Sequence, residues 1–452
     1  MKKPLTGRGR GEQTRRRRAS LPDLAKQLLH LVLDTSNVIE LFPESARVEN
    51  GELTLGGVPV SALAAEHGTP LVVYCEETIR AQARAYRAAA PDALVVYGTK
   101  AFANVALLRL LAEEGIRADV STLGELAFAR AAGIPGERIV FHGNNKSPEE
   151  LRAAAEIDAL VVLDGSWDFV HAAQAGVRRV LIRLTPGVDA HTHHAIATAH
   201  EESKFGFSPE TAIGALAGAR QQGLEVEGVH IHVGSQLVRP DESVLAVERL
   251  LAFCAEMRDH WQWTPRTIDL GGGLGVRHNR DEHPPSVAEF VGPLVEAVRT
   301  GWPEPVQLIL EPGRSLVGRA GVTLYRVGGL KERGAGLTFV AIDGGMSDNP
   351  RPQLYGARYE ALLANRADEL ATGVYRVAGK HCETGDVLIE AAELPHPEPG
   401  DLLAVPATGA YTLALGSTYN GVPRPAVVLA GGGETRTIRR RESVAELLRF
   451  EA

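Results

Sequence analysis

The stretch Ala93-Leu-Val-Val-Tyr-Gly-Thr-Lys100 sets the reading of the whole chain. From Leu94 to Tyr97 it is apolar and rich in β-branched residues, the signature of a buried strand. Beyond Lys100 the period becomes helical: Val105, Leu108 and Leu111 are three apart, Asn104 stands where an N-cap belongs, and Gly115 where the helix should end. A lysine at the carboxyl end of a buried strand is expected to be partly desolvated. Its ammonium pKa should then fall, leaving a neutral amine able to form an imine. A lysine whose stem lies on the surface needs no such role, so its neighbours along the chain decide between the two.

Outward from this unit the pattern repeats. Strand candidates at 94–99, 118–121, 138–142, 159–163, 179–184, 228–233, 267–270 and 306–310 alternate with helical segments. Ser147-Pro-Glu-Glu150 has the form of a capping box with proline at the first helical position, and Ser166 and Ser208 stand as further caps. Eight strand–helix units is the count of a (β/α)8 barrel of the TIM type; an open doubly wound sheet rarely needs so many. Short β-rich runs lie on either side. Before the barrel come 39–42, 47–55 with a hairpin signal at Asn50-Gly51, and 71–74; after it come 322–327, 337–342, 374–377, 386–389, 401–405 and 426–429. The expected architecture is a barrel at 75–317 inserted into a discontinuous antiparallel β domain at 36–74 and 318–452, with a basic, disordered extension at 1–35.

Composition agrees with a two-domain soluble protein: 452 residues, 44% apolar and 23% charged. Three cysteines without paired spacing argue against a disulfide framework or a structural zinc site and fit a reducing cytoplasm. No apolar run is long enough to span a bilayer. Residues 1–18 carry eight Lys/Arg against Glu12, a local +7 within an overall −8 that leaves −15 for the rest. An acidic body of that kind repels nucleic acid, and none is expected as a partner.

Barrel enzymes keep their chemistry at the carboxyl ends of the strands. Here those ends read Lys100, then Phe141-His-Gly-Asn-Asn-Lys146, His230-Ile-His-Val-Gly-Ser-Gln236, Asp269-Leu-Gly-Gly-Gly-Leu-Gly275 and Glu311-Pro-Gly-Arg314. The glycines after the seventh strand, with Glu-Pro-Gly-Arg after the eighth, indicate a phosphate site, because glycine lets backbone N–H groups approach an anion. An imine-forming lysine, a phosphate cradle and a carboxylate at one barrel mouth suggest pyridoxal phosphate. Asp119 and Ser121 read as packing or supporting groups. His191, His193, His194 and His200 lack accompanying ligands at metal spacing, and no metal is expected.

In order along the chain, Tyr-Gly-Thr-Lys100, His142-Gly-Asn-Asn-Lys, Pro186-Gly-Val-Asp-Ala-His-Thr-His193, Ser203-Lys-Phe-Gly206, His232-Val-Gly-Ser-Gln, Glu311-Pro-Gly-Arg, Asp343-Gly-Gly-Met-Ser-Asp348 and Cys382-Glu-Thr-Gly-Asp386 resemble the diaminopimelate decarboxylases. These belong to the alanine-racemase-like fold type III enzymes of pyridoxal 5'-phosphate. The resemblance covers roughly residues 40–440. It implies that Lys100 carries the cofactor covalently, Glu311 meets its ring nitrogen, and His232 lies against its ring. It further implies that Ser235, Gly272, Gly273 and the backbone near Gly313 hold the phosphate and that Arg314 and Tyr411 contact the cofactor. Arg314, Arg351 and Tyr355 would grip substrate carboxylates, Glu383 would pair with the distal ammonium, and Cys382 would donate a proton. The family forms two-fold homodimers with shared sites, so Cys382 and Glu383 would serve the partner's site. The implied reaction is decarboxylation of meso-2,6-diaminopimelate to L-lysine and carbon dioxide. Two other readings stand beside it: a decarboxylase of a related basic amino acid or carboxylated polyamine, and a non-catalytic relative that binds pyridoxal phosphate. The Arg351…Tyr355 pair favours a substrate with a distal carboxylate, and the presence of Lys100, Glu311 and Cys382 favours a catalyst.

Overall fold

The structure, a computed structural model, describes residues 38–187 and 203–452. The basic extension and the histidines at 191, 193, 194 and 200 lie outside the described residues, as does most of the 186–193 motif.

Eight parallel strands close into a barrel: Leu94–Gly98, Arg117–Val120, Ile139–Phe141, Leu160–Leu163, Arg179–Leu184, Glu225–Ile231, Thr267–Asp269 and Gln307–Leu310. Closure is made where the last meets the first, Ile309 opposite Leu94 and Leu310 opposite Val95. Each strand falls on its sequence candidate, and the caps explain several of the intervening helices. Asn104 accepts N–H bonds from Ala106 and Leu107 to start Val105–Glu113, and Ser147 and Ser208 cap Pro148–Glu156 and Pro209–Gln221. Ser166 does not cap; it is already helical. The buried carboxylate of Asp168 ties that turn instead, accepting the Asp164 N–H at 2.9 Å.

The second sheet joins segments from both sides of the barrel. Leu71–Cys75 pairs antiparallel with Gly321–Glu332 on one edge and parallel with Ala426–Gly431 on the other. Thr338–Ile342 likewise runs parallel to Gly373–Ala378. The sheet is therefore mostly antiparallel, as expected, with two parallel pairings. Residues 39–42 are not a strand. Ile39–Leu41 forms a single 3-10 turn running into Pro43, which has no N–H to extend a ladder. The hairpin at Asn50-Gly51 forms, with positive φ at both residues.

A loop of this sheet domain reaches the barrel mouth. The Gly409 N–H donates to Gly318 O at 3.0 Å and the Tyr411 N–H to Ala101 O at 2.9 Å. Tyr74 adds its hydroxyl to Gly409 O at 2.6 Å. These bonds hold Tyr411 in a left-handed backbone conformation (φ 57°), uncommon for a residue with a side chain. Its ring is thereby placed over the end of the first barrel strand.

Candidate active site

Side chains two apart on a strand share a face. Val96, Val140, Leu160, Val162, Leu181 and Ile309 make an apolar plug inside the barrel. Two residues further along their strands stand His142, Arg183 and Glu311, so alternation that builds the plug also builds a charged layer above it.

On this layer a cavity of about 170 Å3 is lined by Lys100, His232, Ser235, Gly273, Leu274, Glu311, Gly313, Arg314, Tyr355 and Tyr411. All but Leu274 are residues that the sequence singled out. Lys100 is surrounded by protein but retains accessible surface, because its side chain opens onto the cavity. Burial, the largest influence on its ammonium, lowers the pKa as expected. Tyr411, Asp119 and Glu311 together outweigh burial, and the pKa is raised. The expected depression is corrected: desolvation alone does not set this lysine's charge when two carboxylates sit within its field.

The anion-holding elements converge beside it. Gly272 is packed so closely that a Cβ there would lie 2.2 Å from the Glu311 carbonyl oxygen, and one at Gly273 2.7 Å from Leu237. Gly272 does not line the cavity itself; its N–H donates to His232 Nδ1 at 3.3 Å and so fixes that ring. Arg314 is buried, donates through Nη2 to Ser235 Oγ at 3.0 Å, and stacks its guanidinium 4.8 Å from the Tyr411 ring centroid. Its Nε and Nη1 are buried without a partner. Burial, then the nearby Arg351 cation, pushes its pKa down to about 10. A buried guanidinium with unspent donors, beside glycines and a serine, is the donor set of an anion site. With an enclosed lysine in the same cavity, these residues fit pyridoxal phosphate.

At the centre stands Glu311. Its Oε1 meets His142 Nε2 at 2.6 Å and its Oε2 meets His230 Nε2 at 3.2 Å. Asp119 Oδ1 lies 3.8 Å from the same nitrogen of His142. Burial opposes charge on Glu311, but the two histidines win and hold its carboxyl well below the usual range. Burial keeps His230 neutral, with a pKa near 4, and drives His232 down further, helped by the Lys100 and Arg183 cations. A neutral imidazole can lie against an aromatic ring without repelling a protonated one. Among the described residues, His142, His230, Asp269 and Glu311 place donor atoms within 4.8 Å of one another, but Glu311 spends its contacts on the two histidines and Asp269 accepts the Gly271 N–H at 2.9 Å. Sequence reasoning assigned no role to His142 or His230. Both stand at or beside a strand end, which was the available signal, but neither motif names Glu311 as partner.

Besides Gly272, three candidates do not line this cavity. Arg351 is buried next to it, donating to the Tyr359 hydroxyl and, at 2.8 Å, to His278 Nε2; its Nε has no partner. Cys382 and Glu383 are exposed on the sheet domain. Their loop is nevertheless firmly held. Asp386 accepts the N–H groups of Met346 and His381 at 2.7 and 2.9 Å, and Asn420 Oδ1 accepts the Cys382 N–H at 2.8 Å. The other two thiols, Cys75 and Cys254, are buried, and burial pushes both up to about 12.

Comparison with known proteins agrees with this geometry. The family model described as "Pyridoxal-dependent decarboxylase, pyridoxal binding domain" matches residues 76–318. A diaminopimelate decarboxylase of Bacillus subtilis is 43% identical over 431 residues, which is 91% of this chain and 98% of that one. One from Mycobacterium bovis is 41% identical over 451 residues, 94% of this chain and 99% of that one. The crystal structure of diaminopimelate decarboxylase from M. jannaschii in complex with L-lysine superposes with a TM-score of 0.84 at 31% identity, covering 90% of this chain and 98% of that one.

Proposed function

The chain belongs to the diaminopimelate decarboxylases, pyridoxal-phosphate-dependent carboxy-lyases, and from that premise we propose how its own residues convert meso-2,6-diaminopimelate to L-lysine and carbon dioxide, the last step of lysine biosynthesis. The observation that carries the proposal is the shared cavity of Lys100, Glu311 and an Arg314 with two unpaired donors. When bound, pyridoxal phosphate supplies an electron sink for the pair released as the carboxylate departs.

Lys100 provides the amine that carries the cofactor. Ser235, Arg314 and the backbone around Gly272, Gly273 and Gly313 would take the phosphate. His232, neutral and fixed by the Gly272 N–H, would pack against the ring, and Tyr411 closes the cavity from the sheet domain. Glu311, ionised, would accept a hydrogen bond from the ring nitrogen and favour its protonated form. Tyr355, Arg314 and Arg351 set the substrate's distal carboxylate by charge and hydrogen bonding.

Cys382 and Glu383 act in the site of a partner subunit. A fixed, exposed thiol outside its own chain's cavity is what a two-fold dimer with shared sites requires. Leu354, Leu415 and Tyr419, large apolar side chains left exposed, would be covered by the partner. Cys382 then delivers a proton to the carbon that lost carbon dioxide, and Glu383 pairs with the distal ammonium. The barrel unit spans 75–317 and the sheet unit 36–74 with 318–452. The working compartment is the reducing cytoplasm, consistent with three free thiols and with no described helix long and apolar enough to cross a membrane.

The test is carbon dioxide release from meso-, L,L- and D,D-diaminopimelate, ornithine and arginine. The meso isomer should be turned over with the highest kcat/KM. Preference for ornithine or arginine would overturn the assignment of a distal carboxylate.

A further inference from the structure

We propose that His142 is a positioning residue that supplies the counter-charge holding the Glu311 carboxylate ionised and aimed at the ring nitrogen of the cofactor. The proposal rests on the reading of Glu311 just given and adds the group that sustains it.

Glu311 is 8% exposed, and a buried carboxylate without a cation takes up a proton. Its surroundings do not help: Asp119 and Asp269, both buried, face the same centre from the second and seventh strands. Lys100 and Arg183 face it from the first and fifth strands, but no hydrogen bond links either to Glu311. His230, from the sixth, touches Glu311 at 3.2 Å but stays neutral, because burial holds its pKa near 4. His142 is the imidazole at 2.6 Å, the length of a charge-assisted bond. It is also flanked by Asp119 at 3.8 Å, which favours its cation. The two carboxylates raise its pKa above the ordinary value against burial. The rings of His142 and His230 stand edge to face, 4.9 Å apart, so the two histidines brace both carboxylate oxygens while only one carries charge. This division of labour is what a fixed carboxylate needs: one neutral donor for direction, one cation for ionisation.

The test compares His142→Gln, which retains a hydrogen-bond donor without charge, with His142→Arg, which is permanently charged. Each holoenzyme is reconstituted with ring-15N pyridoxal phosphate, and the 15N shift reports protonation of the ring nitrogen as pH is varied. In the parent enzyme the nitrogen should be protonated throughout pH 6–8. In His142→Gln it should lose its proton within that range, and kcat should fall about 10- to 100-fold with little change in KM, the effect of one hydrogen bond to a charge. The acid limb of the kcat profile should move to higher pH, because Glu311 is left without its cation. His142→Arg should restore both the shift and most of kcat. Glu311→Gln is the control. If it alone changes the 15N shift while His142→Gln matches the parent, the role of His142 is refuted and that of Glu311 stands. If neither variant changes it, the reading of Glu311 fails as well.

Discussion

The closest backbone approach in the site gives a demanding test. A methyl group added at Gly272 would lie 2.2 Å from the carbonyl oxygen of Glu311 and 3.0 Å from its carbonyl carbon. Ordinary contact begins near 3.4 Å, and the obstructing atoms are backbone, which cannot rotate away. Gly272→Ala must therefore part the ends of the seventh and eighth strands by about an ångström. The bond that joins them there, from the Glu311 N–H to Gly271 O at 2.7 Å, is strained or lost. Overpacking of this kind costs about 1–3 kcal/mol of stability. The functional loss should lie at the upper end of that range, because an ångström of displacement at a positioned group costs about a hundredfold in rate, or about 2.7 kcal/mol. The displaced group is Glu311 itself, together with the glycines beside it. Cofactor affinity, measured by fluorescence titration of the apoenzyme, should fall with kcat/KM, while far-ultraviolet circular dichroism stays unchanged. A variant whose cofactor affinity and kcat/KM stay within twofold of the parent would refute the claim that this close approach builds the site.

Four further outcomes follow from the same geometry. Lys100→Ala should lose turnover and the visible absorbance of the bound cofactor; a borohydride-reducible adduct that persisted would place the reactive amine elsewhere. Homodimers of Lys100→Ala and of Cys382→Ala should each be nearly inactive, yet subunit exchange between them should restore roughly a quarter of parental activity, since half the dimers are hybrids with one intact site. Confirmed exchange without recovery would mean that both groups come from one chain. Burial pushes the Asp348 carboxyl up to about 7, so the folded state keeps a proton that the unfolded chain releases near pH 4. Stability should decline from that group as pH rises from about 4 to 7, and the thermal midpoint of Asp348→Asn relative to the parent should climb over that interval rather than stay level. Dialysis against a chelator should leave activity unchanged, because the donor atoms of His142, His230 and Glu311 are already engaged with one another; loss of activity restored by a divalent ion would show a metal among them.

What the sequence made legible, and what it hid, divides along a physical line. Local signals carried the barrel. A β-branched run followed by a change to helical period marks a strand–helix unit wherever it occurs, and caps such as Asn104 and Ser147 depend on residues two or three away. Lys100 was legible for the same reason, since its position at a strand end is local information. Its charge was not, because Asp119 and Glu311 come from other strands. His142 shows the same limit: its partner is 169 residues away, and no spacing in the sequence joins them. In the sheet domain the runs were visible but their directions were not, so the parallel pairing of Leu71–Cys75 with Ala426–Gly431 had to come from the structure. The neighbouring Glu434–Arg439 strand went unnoticed. Its Glu-Thr-Arg-Thr-Ile-Arg sequence has no buried residue and lacks the apolar alternation that reveals a half-buried strand. Cys382 and Glu383 are proposed only through resemblance, since an exposed Cys-Glu pair carries no chemical signature of its own.

The charges at the barrel mouth also fix the direction in which an anionic cofactor can enter. Positive charge with unspent donors is concentrated at the end of the eighth strand, where Arg314 meets Ser235 and the glycines, with Arg351 close behind. Negative charge is concentrated deeper, at Glu311, held there by its two histidines. A phosphate placed against Glu311 would meet a fixed, buried carboxylate, where repulsion is poorly screened. A ring nitrogen placed against Arg314 would find a donor where it needs an acceptor. Both mismatches would vanish in the proposed orientation, with phosphate on Arg314 and the ring nitrogen on Glu311. On this reading the charges on different strands would set the cofactor's orientation before any substrate contact is made. Arg314→Gln should therefore weaken phosphate-bearing pyridoxal far more than pyridoxal itself.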